Sequence, residues 1–132
     1  WMIQSGSGEF GYVDLSEGAF RPVCFLQGFA RGLAFVGDHA VIGVSRPRRD
    51  RTFEGLALEE RLSREGRAPL CQIAVVNLDT GDVEHSLDIE GVVQELYDVQ
   101  AIPGVRRPKA IGFKTDEIRF MIRPAPAGAA DA

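Results

Sequence analysis

The chain has 132 residues, 45% of them hydrophobic and 26% charged, with a formal net charge of -4 and a pI near 5.2. That is the profile of one ordinary soluble globular domain, and the acidic balance argues against a dedicated nucleic-acid binder. No apolar run approaches the roughly 18 residues of a membrane span, and the start, WMIQSGSGEF, has neither a basic n-region nor an apolar h-region. A cytoplasmic protein with no membrane partner is the expectation; because the sequence begins on Trp1, its natural start is expected to be missing.

In chain order, strands are expected near 1–5, 10–15, 20–27, 32–36, 40–45, 72–78, 83–89, 94–102, 108–114 and 117–122. Alternation supports several of them, for example Val83, His85, Leu87 and Ile89 on one face. Tyr12, Phe10, Phe20 and Phe25 fall on strands and read as core, and Cys24 and Cys71 read as buried free thiols. No Cys or His spacing suggests zinc, and no cofactor is implied. Between the fifth and sixth strands lies an insertion, 46–71, in which LALEERLSREG (56–66) looks helical. Leu58 and Leu62 share a face, Glu60 and Arg64 are spaced for an i,i+4 pair, Gly66 can end the helix and Thr52 can cap it. The tail RPAPAGAADA, 123–132, lacks periodicity and reads as disordered, which leaves 1–122 as the domain.

The chain echoes itself. YVDLSEGAF (12–20) aligns with VVNLDTGDV (75–83) at a shift of 63 residues, so that Val13, Leu15 and Gly18 fall on Val76, Leu78 and Gly81. HAVIGVS (39–45) resembles PKAIGFK (108–114). Repeated antiparallel strands joined by Gly hairpins suggest an all-β fold of four-stranded, β-propeller-like blades, one complete and two partial.

In such a blade alternate loops share an end. Glu9, Arg31, Arg46, Arg48, Arg49, Arg51, Glu95, Lys114, Asp116 and Glu117 are then expected on one rim. Arg46, Arg48, Arg49 and Arg51 occupy four of six consecutive positions, and an insertion helix starting soon after them would add N-terminal amide donors. An anion site follows, with Arg31, Arg46, Arg48, Arg49, Arg51 and Lys114 as ligand-binding residues. The competing expectation is that the arginines are solvated or tie the insertion to Glu9, Glu54, Asp116 and Glu117. Glu9, Asp98, Asp116 and Glu117 are candidate acid, base or metal groups, and Glu9, Asn77, Asp98 and Asp116 could meet a Ca²⁺ ion, although their spacing carries no specific signal. Asp98 either faces a central channel or bonds a neighbouring backbone group.

The runs GEFGYVDLSEGAFRPVCFLQGFARGLAFVGDHAVIGVSRPRRDRTFEGLALEERL and GVVQELYDVQAIPGVRRPKAIGFKTDEI resemble the C-terminal part of an uncharacterised bacterial family of β-propeller-like domains of unknown function. The resemblance covers nearly all of 8–119, implies the fold without an activity, and implies that N-terminal blades are absent here. An open array exposes sheet edges and apolar faces, so self-association is expected. Three functions remain open: a module binding a small anionic ligand or a protein at the arginine rim, an enzyme orienting an anionic substrate with a carboxylate base or metal ligand, and a structural self-assembly unit.

Overall fold

A computed structural model of the chain describes residues 1–46, 55–108, 112, 114 and 116. Two compact units divide it, Trp1–Ala101 and Ile102–Ala132. The regular structure of the first is mainly antiparallel β-sheet. Its strands are β1 (Met2–Gln4), β2 (Glu9–Asp14), β3 (Ala19–Phe25), β4 (Phe29–Val36), β5 (His39–Ser45), β6 (Gln72–Asn77) and β7 (Val83–Asp88), with one helix, α1 (Ala57–Arg64), between β5 and β6. They form a three-stranded sheet, β1-β2-β3, and a four-stranded sheet, β4-β5-β6-β7, each with sequential neighbours paired.

The core lies where the two sheets meet. Alternation along β5 and β6 sends Ala40, Ile42, Val44, Ala74 and Val76 to one face. All five are fully buried and cluster with Phe10 and Leu26 of the first sheet and its outgoing loop. The other face of the four-stranded sheet is also apolar but less covered: Val41, Ile73 and Val75 are half-buried, and Leu87, opposite Ile73, is 60% exposed. Every residue of β7 is exposed, so the expected alternation over 83–89 brings no alternation in burial within that strand. Tyr12 is likewise not core. It is exposed and lies edge-on to Trp1, whose ring stacks on Phe10, while Phe20 and Phe25 are half-buried.

The β2–β3 and β6–β7 turns are built alike. Gly18 donates its amide to the Asp14 carbonyl (2.8 Å) and Gly81 to the Asn77 carbonyl (2.9 Å). Both glycines hold φ near the left-handed region, +63° and +79°, which a side chain disfavours. The side chains of Asp14 and Asn77 each accept the amides two and three residues on: Ser16 and Glu17 in one turn, Asp79 and Thr80 in the other.

α1 is shorter than the expected 56–66 and begins at Ala57, with Leu56 at the N-cap and no side-chain cap; Thr52 lies outside the described residues. Leu58 and Leu62 are buried as expected. The i,i+4 pair that forms is Arg61–Glu65 (3.0 Å) rather than Glu60–Arg64. Gly66, at φ +63°, follows the last turn.

The strand expected at 94–102 does not form. A strand needs a ladder, and the bonds this segment makes to β5 and its exit are of another kind: Arg46 donates its amide to the Gln94 carbonyl, and the Ser45 hydroxyl accepts from the Leu96 amide (2.8 Å) and lies 3.2 Å from its carbonyl. The segment then passes so close to β4 that a Cβ on Gly32 would lie 2.7 Å from the Asp98 Cα. In the second unit the described residues 102–108, 112, 114 and 116 are exposed, with a turn closed by the Val105 amide on the Ile102 carbonyl (3.3 Å). Most of the strand expected at 108–114, all of that at 117–122 and the tail 123–132 lie outside the described residues.

Candidate functional site

Antiparallel order gives the first unit two ends. At one, the β4–β5 and β6–β7 turns touch through the Leu78 amide and the Asp38 carbonyl (2.9 Å). At the other lie the β1–β2 turn (residues 5–8), the β3–β4 link, Arg46 and the insertion with α1. Three backbone bonds join these: Leu26 to Gly8 (2.7 Å), Leu58 to Gly6 (3.0 Å) and Leu70 to Gln27 (2.7 Å), while Arg46 is bonded to Gln94 (2.8 Å). The helix therefore seats on the β1–β2 turn.

That seating occupies one of the amide donors expected at the helix N-terminus. The Leu58 amide is taken by the Gly6 carbonyl, and the Glu59 carboxylate accepts the Gly55 amide (3.3 Å). Two arginines not chosen from the sequence fix the other side of the helix. Arg61 lies over the Phe25 ring, 3.7 Å from its centroid, and 3.8 Å from the Glu9 carboxylate. Arg67 reaches the same ring at 5.9 Å, pairs with Glu65 (3.4 Å) and bonds the Gln27 side chain. The sequence gives only the position of Arg61, three residues after Leu58 beside the Leu58/Leu62 face, and no signal for its ring partner or for Arg67.

Of the ligand-binding candidates, Arg31 is on β4 and not in a loop, because β4 starts at Phe29. Its guanidinium lies over two rings, 5.4 Å from Phe29 and 5.3 Å from Tyr97, and it forms no ion pair with any described residue. Arg46 is half-buried; its Nε is buried without a hydrogen bond to any described residue. Burial pushes the Cys71 thiol up, and the charge of Arg46 partly opposes this. Arg48, Arg49, Arg51, Glu54 and Glu117 lie outside the described residues, and Lys114 and Asp116 are exposed residues of the second unit.

The acid–base candidates are not gathered within the first unit. Glu9 opens β2 at the helix end, where its carboxylate also accepts the Ser7 hydroxyl (2.9 Å). Asn77 closes β6 at the opposite end, bonded to Glu84 (2.8 Å), so it and Glu9 cannot share a Ca²⁺ ion. Asp98 is exposed and accepts its neighbour Val99's amide (2.8 Å) and the Gln100 side chain (3.2 Å). It is a local backbone acceptor in an irregular segment, not a residue of an inner strand. Among the described residues no cluster of three or more His, Cys, Asp or Glu could hold a metal ion.

An apolar recess of about 230 Å³ lies between α1 and the start of β4, lined by Phe29, Leu56, Leu58, Leu62 and Pro69, with Glu59, Ser63 and Arg67 completing the lining. Composition gave no sign of it, since it arises from how the helix docks.

Compared with known families, residues 1–111 match the model of a domain of unknown function, DUF4915. The chain belongs to this family. No curated protein and no solved structure matches it. The matched residues include both sheets, α1 and all the arginines of the helix end, so the recess and the Arg31 stack lie within the family's domain. Among the described residues no helix is long and apolar enough to cross a membrane.

Proposed function

We propose that the two sheets are neighbouring blades of a β-propeller-like array and that the protein is a cytoplasmic binding module, taking an anionic group at the helix end of those blades. The blade reading is supported by the four-stranded sequential sheet packed on a three-stranded one, and by the shared bonding of the Asp14 and Asn77 turns. Two free cysteines suit a reducing compartment.

The observation that carries the binding reading is Arg31. Its charge is held against the rings of Phe29 and Tyr97, without a carboxylate from any described residue. Ring stacking fixes a guanidinium and leaves its N–H fork for a planar or tetrahedral anion. Titration of inorganic phosphate into ¹⁵N-labelled protein tests this: the amides of residues 28–31 and of Arg46 should shift saturably, and Arg31→Gln should abolish the response. Weak shifts spread over the surface would contradict it.

A second reading, self-assembly, is favoured by the second face of the four-stranded sheet, where Leu87 is exposed beside half-buried Ile73 and Val75, and by β7, whose outer edge pairs with no described strand. Light scattering over a dilution series distinguishes it: a mass that rises with concentration supports association, and a monomer at every concentration removes it.

A further inference from the structure

Among the described residues, Phe29 borders two features of opposite character. Arg31 lies over its ring, while the same residue forms one wall of the apolar recess under α1. An apolar cavity of about 150 Å³ lined by Leu, Ile and Phe admits a benzene molecule. At about 230 Å³, this recess has room for a ring and several further atoms. The charged groups of its lining are engaged within the chain: Glu59 by the Gly55 amide, and Arg67 by Glu65 and Gln27. Arg31 is not part of that lining, but its guanidinium lies over the ring of Phe29, which is, and it has no carboxylate among the described residues.

We infer that the recess and Arg31 act together on a small amphipathic carboxylate, an aryl or short alkyl acid whose apolar group enters between α1 and Phe29 and whose carboxylate meets the Arg31 guanidinium. This rests on the anion-binding reading and adds the apolar half of the ligand. A carboxylate suits the planar two-pronged geometry of the guanidinium. Apolar burial supplies the affinity that one partly exposed ion pair lacks. Phe29 links the two halves, so the acid carries its charge a few methylenes from its apolar group.

The test uses the full chain with ¹³C-methyl-labelled leucine and three probes: phenylbutyrate, phenylbutanol and butyrate. Phenylbutyrate should shift the methyls of Leu56, Leu58 and Leu62 saturably and bind about tenfold or more tighter than either other probe. Arg31→Gln should reduce phenylbutyrate to the level of phenylbutanol and leave phenylbutanol unchanged. Ser63→Trp, which fills the recess from an exposed position while keeping Leu58 and Leu62, should remove the leucine shifts for both aryl probes and leave the phosphate response of the Arg31 amide. The inference is overturned if phenylbutyrate binds no tighter than butyrate, or if the leucine methyls do not move. With the phosphate response intact, that outcome leaves the anion site standing; with the phosphate response also absent, both readings fail.

Discussion

The Arg61 guanidinium lies 3.7 Å from the centre of the Phe25 ring, which ties the insertion helix to the last residue of β3. The contact joins residues 36 positions apart, and the same side chain reaches Glu9 and Glu65. A cation over a ring contributes about 0.5–2 kcal/mol, depending on its desolvation. Arg61→Ala should therefore lower unfolding stability by about 1 kcal/mol in urea denaturation, and Arg61→Gln by nearly as much. No change in either variant would show that Leu58 and Leu62 alone hold the helix.

The two matching turns give a graded expectation. A Cβ on Gly18 meets nothing within 4 Å, so Gly18→Ala carries only the left-handed backbone cost, about 1–2 kcal/mol. A Cβ on Gly81 would lie 2.8 Å from the Val23 methyl of the other sheet, which must also give way. Gly81→Ala should be the more destabilising of the two in the same assay; the reverse order would contradict the packing of the β6–β7 turn on β3.

Seven strands of the first unit were legible because each is a short β-rich run, and the SEG and DTG signals at Gly18 and Gly81 mark two of the hairpins. The LYDVQAI run misled because its composition suits a strand while its backbone bonds run to Ser45 and Arg46 without forming a ladder. α1 was legible from Leu58, Leu62 and Gly66, but its start was not, since Leu56 is no capping residue. At the candidate site the common end of the loops followed from antiparallel order. The ring stack on Arg31 and the roles of Arg61 and Arg67 did not, because they depend on where Tyr97 and Phe25 come to rest in three dimensions.

Acid should weaken the fold from below about pH 4.5. Hydrogen bonds from His39 and Asn77 hold the Glu84 carboxyl below its ordinary 4.5; Arg61 does the same for Glu65, and Ser16 holds Asp14 below 3.8. Each group binds its proton less readily in the folded chain than in the unfolded one. Its stabilisation is thus present above the ordinary value and lost as pH falls through the lowered one. Melting temperatures taken from pH 6 to pH 3 should fall across this window, with a shallower fall in Glu84→Gln. A wild type and a variant with parallel profiles would remove Glu84 from the account.

The thiols should be slow to react while the chain is folded. Burial pushes Cys24 up to about 11 and raises Cys71, and Cys71 is also fully covered. Thiolate is the reactive form, so a disulfide reagent near pH 8 should label both slowly in native protein and rapidly in denaturant. Fast native labelling at Cys71 would show that the segment around Arg46 opens readily.

The anion site at Arg31 is tested most directly by thermal melts in phosphate, sulfate and chloride at matched ionic strength, on wild type, Arg31→Gln and Arg48→Ala/Arg49→Ala. A site-specific anion stabilises the folded state by about 2.7 kcal/mol at a hundredfold excess over Kd. The wild-type midpoint should rise in phosphate and sulfate over chloride, and Arg31→Gln should lose most of that gain. Loss in the double variant as well would extend the site to Arg48 and Arg49. An equal rise in wild type and Arg31→Gln is the signature of general salting-out and would contradict the site.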